Sequence, residues 1–205
     1  WDNLQYWFRG VEKFAPWVNK IHFVTWGHLP AWLNTDHPKL NIVRHADYIP
    51  GEYLPTFSSH TIELNLHRIE ELSEKFVYFN DDMLLIDETK AEDFFKNGAP
   101  CDTAALNVHC NDKRIIQNIS FNNVGVINCH FDMKKTIKQS FFKWFNLKYG
   151  SLLLRSLPLA FCPRFPGFYQ PHLPASYRKS TFEILWDKEY KILDETCKHK
   201  FRNVN

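Results

Sequence analysis

The sequence has 205 residues, 44% of them apolar, with 18 Phe, 8 Tyr and 7 Trp. That composition belongs to a folded chain with one sizeable core and excludes intrinsic disorder. A net charge of +2 excludes the strong basic field of a nucleic-acid binder, and no apolar run approaches the roughly 20 residues that span a bilayer.

In chain order, Leu4, Trp7, Phe8 and Val11 fall on one face of a helix that Pro16 stops. Two apolar runs, Ile21–Thr25 and Leu40–His45, read as buried strands. Ser59 then caps a helix in which Ile62, Leu66 and Ile69 repeat at helical spacing. Phe76–Phe79 is a third strand and Thr103–Val108 a fourth. Strands alternating with helices predict an α/β domain with a mainly parallel sheet. Beyond residue 110 the character changes. Asn118–Asn128, Met133–Phe145 and Tyr177–Trp186 read as helices, and the prolines between Leu157 and Pro174 rule out a continuous helix there. The expected organisation is one catalytic unit, with an α/β sheet part over 1–110 and a helical, loop-rich part over 111–205.

Three constellations carry chemistry. In the first, the strand Phe76–Phe79 runs into Asn80-Asp81-Asp82. Ligands of open α/β sheets sit beyond the carboxyl ends of strands, and carboxylates there hold Mg2+ or Mn2+ against a diphosphate. If the extended backbone persists, Asn80 and Asp82 point to one side, which makes them the candidate metal ligands. The same three residues also read as a solvated turn. In the second, Thr56, Ser58 and Ser59 precede a helix on which His60, Glu63 and His67 form one stripe beside Arg68. Free N–H groups at such a start favour an anion, while the stripe also reads as an ordinary polar face. In the third, His172 stands between Pro171 and Pro174, with Arg178, Lys179 and Arg202 downstream. Histidine suits proton transfer near neutral pH and arginine suits phosphate. A lone loop histidine is also commonly structural.

Cys101, Cys110, Cys129, Cys162 and Cys197 form no CxxC pair. The expectation is reduced thiols, no structural zinc and a cytoplasmic location. No signal peptide is visible, and the chain opens on Trp-Asp-Asn without an initiator Met, as a fragment of a longer protein does.

Several motifs in order resemble the Stealth family: Phe14-Ala15-Pro16-Trp17-Val18, Val24-Thr25-Trp26-Gly27-His28-Leu29-Pro30, Leu54-Pro55-Thr56-Phe57-Ser58-Ser59-His60, His67-Arg68-Ile69 and Phe79-Asn80-Asp81-Asp82. Together they resemble its second conserved region. Phe165 to Arg202, with His172-Leu173-Pro174 and Phe201-Arg202, resembles its third. The family includes bacterial capsular polysaccharide phosphotransferases and the related animal N-acetylglucosamine-1-phosphotransferase. Asn122-Asn123 and the run Phe141–Gly150 resemble the bacterial members.

The resemblance implies a Rossmann-like nucleotide-sugar transferase core and transfer of a hexose 1-phosphate to a polysaccharide or glycan hydroxyl. The expected partners are a nucleotide-sugar donor and the glycan acceptor, with no nucleic acid. The expected place is the inner face of the cell membrane, reached by peripheral association through other capsule-synthesis proteins. The expected catalytic residues are His172 as base, Asp82 with Asn80 on a divalent cation, and Arg178 and Arg202 on phosphate. Thr56, Ser58, His60, Glu63, His67 and Arg68 are the expected donor-side residues. Attack at the anomeric carbon by an ordinary glycosyltransferase and a glycan-binding module are the competing readings. The family's first conserved region, which includes a strand, and its fourth are not in the sequence, and Glu71 stands where a glycine is expected before Leu72.

Overall fold

The computed structural model describes residues 3–110 and 115–203. The elements run α1 (Leu4–Phe14), β1 (Ile21–Thr25), β2 (Leu40–Arg44), α2 (His45–Tyr48), α3 (Ser59–Leu64), β3 (Lys75–Tyr78), α4 (Ala91–Phe94), β4 (Phe95–Lys96), β5 (Ala99–Pro100), α5 (Ile115–His130), α6 (Met133–Gln139), α7 (Phe141–Trp144), α8 (Ser151–Leu159), β6 (Ala175–Arg178) and α9 (Lys179–Lys198). The chain is therefore a mixed α/β protein. It divides into two compact units: Trp1–Asp102 with Leu173–Arg202, and Thr103–His172 with Asn203–Asn205.

In the first unit β1 pairs in parallel with β2, Ile21 opposite Leu40 and Thr25 opposite Arg44. β3 pairs antiparallel with β6, Lys75 opposite Arg178 and Tyr78 opposite Ala175. Among the described residues the strands form three two-stranded sheets, where the sequence pattern predicts one mainly parallel sheet. α1 approaches its neighbour closely because position 10 is glycine: a Cβ there would stand 2.9 Å from the Leu85 carbonyl oxygen. The segment after it is pinned by Trp17 Nε1 donating to Thr89 O at 2.8 Å.

The core of this unit gathers Val43, Tyr48, Ile49, Tyr53, Leu66, Ile69, Trp186, Leu193 and Cys197. Trp186 is its centre. Its Nε1 donates to Leu64 O at 2.8 Å, the Arg68 guanidinium lies 5.1 Å from its ring, and Tyr53 stacks on it. The Tyr53 hydroxyl donates to Asp194 at 2.8 Å. Buried Asn65 is fully engaged, donating to Thr61 O and accepting from Arg68 Nε, as a buried amide must be. α9 is kinked at Glu189.

The second unit packs Leu106, Val124, Met133, Ile137 and Phe165. Thr103–Val108 lies here and is not a fourth sheet strand. Leu106 forms an isolated bridge with Phe168, its N–H goes to the Ser156 hydroxyl, and Asn107 N donates to Gly167 O. Gly167 has φ +147° and lies so close to His109 that a Cβ would collide with the ring.

Other boundaries differ from the sequence pattern for local reasons. β2 stops at Arg44 because the Asp47 carboxylate accepts the Arg44 N–H at 2.7 Å and opens a short helix at His45. Met133–Phe145 is two helices, broken at Ser140 (φ −128°, ψ 34°). α8 reaches only as far as Leu159 into the proline-rich stretch from Leu157, where the sequence excludes a continuous helix. Pro158 sits in its last turn, where the lost N–H bond ends the helix without disrupting it. Tyr177 and Arg178 belong to β6, and the helix begins at Lys179.

Candidate active site

The carboxyl end of β3 is where the first unit concentrates its polar groups. The Tyr78 hydroxyl donates to Asn80 Oδ1 at 2.6 Å, and the Glu63 carboxyl of α3 lies near enough for each group to shift the other's pKa. Ser59, one turn before Glu63, accepts from Arg202 Nε and Nη2 at 3.3 and 2.8 Å. Arg202 reaches Ser59 because the chain before it is fastened to the loop ahead of α3. Phe57 N donates to Lys200 O at 2.8 Å, Lys200 Nζ donates to Leu54 O at 3.0 Å, and the Phe57 and Phe201 rings stack at 5.1 Å.

Burial sets the protonation of this cluster. It raises the Glu63 pKa, while Tyr78, Arg202 and Ser59 pull it back. It raises the Tyr78 phenol, helped by the Glu63 charge, and lowers His60, with Arg202 adding to the effect. The neighbourhood therefore holds a carboxyl whose pKa burial raises, a neutral phenol, and a guanidinium with more N–H groups than Ser59 uses. Such a set can bind phosphate oxygens and hold a proton close to them.

The expected site residues fall into distinct places. Asn80, Glu63, His60 and Arg202 come together. Asp81 and Asp82 follow Asn80 on a turn closed by Met83 N donating to Asn80 O at 3.3 Å. The extended backbone thus does not persist, and strand alternation is not what relates Asn80 to Asp82. Thr56 and Ser58 are buried, with Ser58 N donating to Thr56 Oγ1 at 3.2 Å, so they brace the loop instead of facing solvent. His67 lies in the core against Phe182 and Trp186, and Arg68 covers Trp186. Arg178 pairs with Lys75, at the start of β3, and its Nε bonds Glu74 at 2.9 Å. It sits at the opposite end of the ladder from Asn80. His172 is exposed and belongs to the second unit.

Sequence reasoning missed Tyr78 as a site residue and placed Ser59 at an anion-favouring helix start without its bond to Arg202. A hydroxyl-bearing Tyr two positions before Asn80 was the available signal. Among the described residues no group of three or more His, Cys, Asp or Glu is placed to hold a metal ion. A magnesium ion commonly takes only one or two carboxylates beside substrate phosphates. Asp82, on the exposed turn after Asn80, is the carboxylate that the sequence puts forward for that smaller demand.

The model of Stealth protein CR2, conserved region 2, matches residues 1–102. The chain is 48% identical over 205 residues to the capsular polysaccharide phosphotransferase WcwK of Streptococcus pneumoniae, covering all of this chain and 61% of that protein. It is 40% identical over 205 residues to the receptor polysaccharide phosphotransferase WefC of Streptococcus gordonii, covering 99% of this chain and 61% of the relative. The exopolysaccharide phosphotransferase cps2G of Lactiplantibacillus plantarum is 40% identical over 203 residues, 98% of this chain and 60% of its own. The chain thus spans about three fifths of the length of these relatives. With a family match over residues 1–102, which include Ser59 and Tyr78, and with relatives aligned from end to end of the sequence, the chain belongs to the Stealth family.

Proposed function

We propose that the full-length protein transfers a sugar 1-phosphate from a nucleotide-sugar to a hydroxyl of a growing capsular or extracellular polysaccharide. The observation that carries this reading is the group at the carboxyl end of β3, where the Tyr78 phenol donates to Asn80, Arg202 donates to Ser59, and both Tyr78 and Arg202 act on the Glu63 carboxyl. It sets a cation and an acidic turn together beyond the carboxyl end of a strand, where α/β proteins of the Rossmann-like kind receive nucleotides. The names of the relatives support the phosphotransferase class.

In this mechanism Arg202 binds oxygens of the donor diphosphate and stabilises charge that builds up on them in the transition state. His172 accepts the proton of the acceptor hydroxyl. That oxygen forms a bond to the phosphorus beside the sugar, the bond from that same phosphorus to the bridging oxygen breaks, and the bridging oxygen leaves on the nucleoside monophosphate. No bond to the anomeric carbon breaks, so its configuration is retained. Mg2+ or Mn2+ at Asp82, with Asn80, would supply neutralisation of the diphosphate. Glu63 and Tyr78 hold the Ser59–Arg202 pair in place.

Mass spectrometry of products, after incubating full-length protein with candidate nucleotide-sugars and capsule oligosaccharides, tests the reading. The expected result is an acceptor heavier by a sugar phosphate together with released nucleoside monophosphate. Release of nucleoside diphosphate with transfer of the bare sugar refutes it in favour of an ordinary glycosyltransferase. Glycan binding without turnover refutes it in favour of a binding module.

A further inference from the structure

The segment that holds α7 and α8 is fastened to the second unit from one side. Trp144, Phe145, Leu159 and Ala160 pack against the core of that unit, and buried Ser156 bonds the Leu106 N–H. Its other side is apolar as well, but faces solvent. Phe142 is 83% exposed, Leu147 88% and Phe161 87%, and Leu154 and Leu157 are exposed with them. Phe161 lies in the turn that prolongs α8, its N–H on Pro158 O. Residues three and four apart share a helix face, so Leu154, Leu157 and Phe161 form one stripe, turned away from Ser156.

A single exposed leucine is ordinary. Five large apolar side chains exposed between residues 142 and 161 are a concentration of the kind that marks a protein or membrane contact. Charge decides between the two. From Met133 to Phe182 the sequence contains no Asp or Glu. Seven Lys and Arg of the second unit, from Lys134 to Arg164, fall in that stretch, and all seven are exposed. The chain as a whole carries only +2, so its positive charge is gathered where its apolar surface is. Five of the seven are lysines, a residue that protein–protein interfaces avoid. Lysine and arginine flanking Phe and Leu are instead the composition of a surface that lies on a bilayer, the long stems following the apolar face while the charged ends stay at headgroup level. Among the described residues no helix is long and apolar enough to cross a membrane, so the contact is with the bilayer surface.

We infer that this face of α7 and α8 docks directly on an anionic lipid surface, without a second protein between. Phe142, Leu147, Leu154, Leu157 and Phe161 enter the boundary between headgroups and acyl chains. Lys143, Lys148 and Arg155, exposed in the same segment, meet the lipid phosphates. Stable attachment takes two signals, one apolar and one electrostatic, and this face has both.

Sedimentation of the full-length protein with lipid vesicles tests the inference independently of turnover. The protein should bind vesicles of phosphatidylglycerol and phosphatidylcholine, bind pure phosphatidylcholine weakly, and be released as NaCl is raised. Lys143→Glu, Lys148→Glu and Arg155→Glu together should weaken binding on the order of 10²-fold. Phe142→Ser with Phe161→Ser should weaken it about 10-fold or more. All five positions are exposed, so both variants should unfold at the parent's urea midpoint. In the unmodified protein, lipid should slow amide exchange in peptides covering residues 141–161. No binding to the anionic vesicles overturns the inference, whether the face is covered by the rest of the full-length chain, by a second copy or by a partner protein. Binding that both variants retain, or lipid protection that spares residues 141–161, overturns it equally.

Discussion

Replacing His67 by Phe isolates a pH-dependent weakness in the core. Burial, then the Arg68 charge and further down Lys179, lower the His67 pKa from 6.5 to about 4, against a bond to Leu64 that raises it. The depressed value means that the neutral ring stabilises the fold above pH 6.5, and that this contribution is lost as pH falls towards 4. The whole shift corresponds to about 3 kcal/mol, and between pH 7 and pH 5 about 2 kcal/mol of it should disappear. His67→Phe abolishes this loss while keeping a ring against Phe182 and Trp186. At pH 7 the variant should be as stable as the parent or more so. Nδ1 of His67 has no hydrogen-bond partner among the described residues, and leaving such a group buried costs about 1–3 kcal/mol. The Leu64 carbonyl meanwhile keeps its bond from Trp186 Nε1. Glu63, whose pKa burial raises, stabilises the fold in the opposite sense as pH falls, but it is present in both proteins and cancels. Urea unfolding of the full-length protein, followed by tryptophan fluorescence at pH 7 and pH 5, reads the difference. Equal loss of stability in parent and variant between the two pH values would refute the reasoning.

Trp186→Ala should destabilise the protein by about 3–5 kcal/mol, the usual cost of deleting a buried Trp, because it removes the Leu64 bond and the contacts with Tyr53 and Arg68 together; a change under about 1 kcal/mol in urea unfolding would contradict that. Asp82→Asn should leave unfolding unchanged and abolish turnover of the full-length protein, and full turnover in a chelator would remove the metal from Asp82. His172→Ala should slow turnover by about 10²–10⁴-fold, the range for general acid–base groups, with donor binding little altered; unchanged turnover would leave the histidine a structural part of its loop.

The strands and helix that the sequence announces are those whose apolar residues alone fix their place. Leu4, Trp7, Phe8 and Val11 mark α1, and the runs at Ile21 and Leu40 mark β1 and β2 within a residue. β6 was illegible because Ala-Ser-Tyr-Arg has no pattern of its own. It is extended because β3 offers an edge, with Phe76 and Tyr78 packing beside Tyr177, a tertiary demand that overrides local propensity. The turn at Asn80-Asp81-Asp82 was legible for the opposite reason: polarity that begins abruptly at the end of an apolar strand is a local signal. The Arg202–Ser59 contact joins residues 143 positions apart through a ring stack and lysine bonds that no spacing rule encodes.

The stripe His60, Glu63 and His67 shows how a correct local reading can assign one residue to the wrong surroundings. The spacing puts all three on one face only if the helix keeps 3.6 residues per turn through His67. It does not: the α-helix ends at Leu64, and Leu66–Arg68 is a 3₁₀ turn, tighter at about 3.0 residues per turn. Asn65, at the change of pitch, spends its amide on Thr61 O and its oxygen on Arg68. Beyond that point the face turns. Glu63 stays with Tyr78 and Ser59, whereas His67 passes under Phe182 and Trp186. One buried asparagine, six residues after the Ser59 that opens the helix, therefore divides a run of polar side chains into a part that serves the site and a part that serves the core.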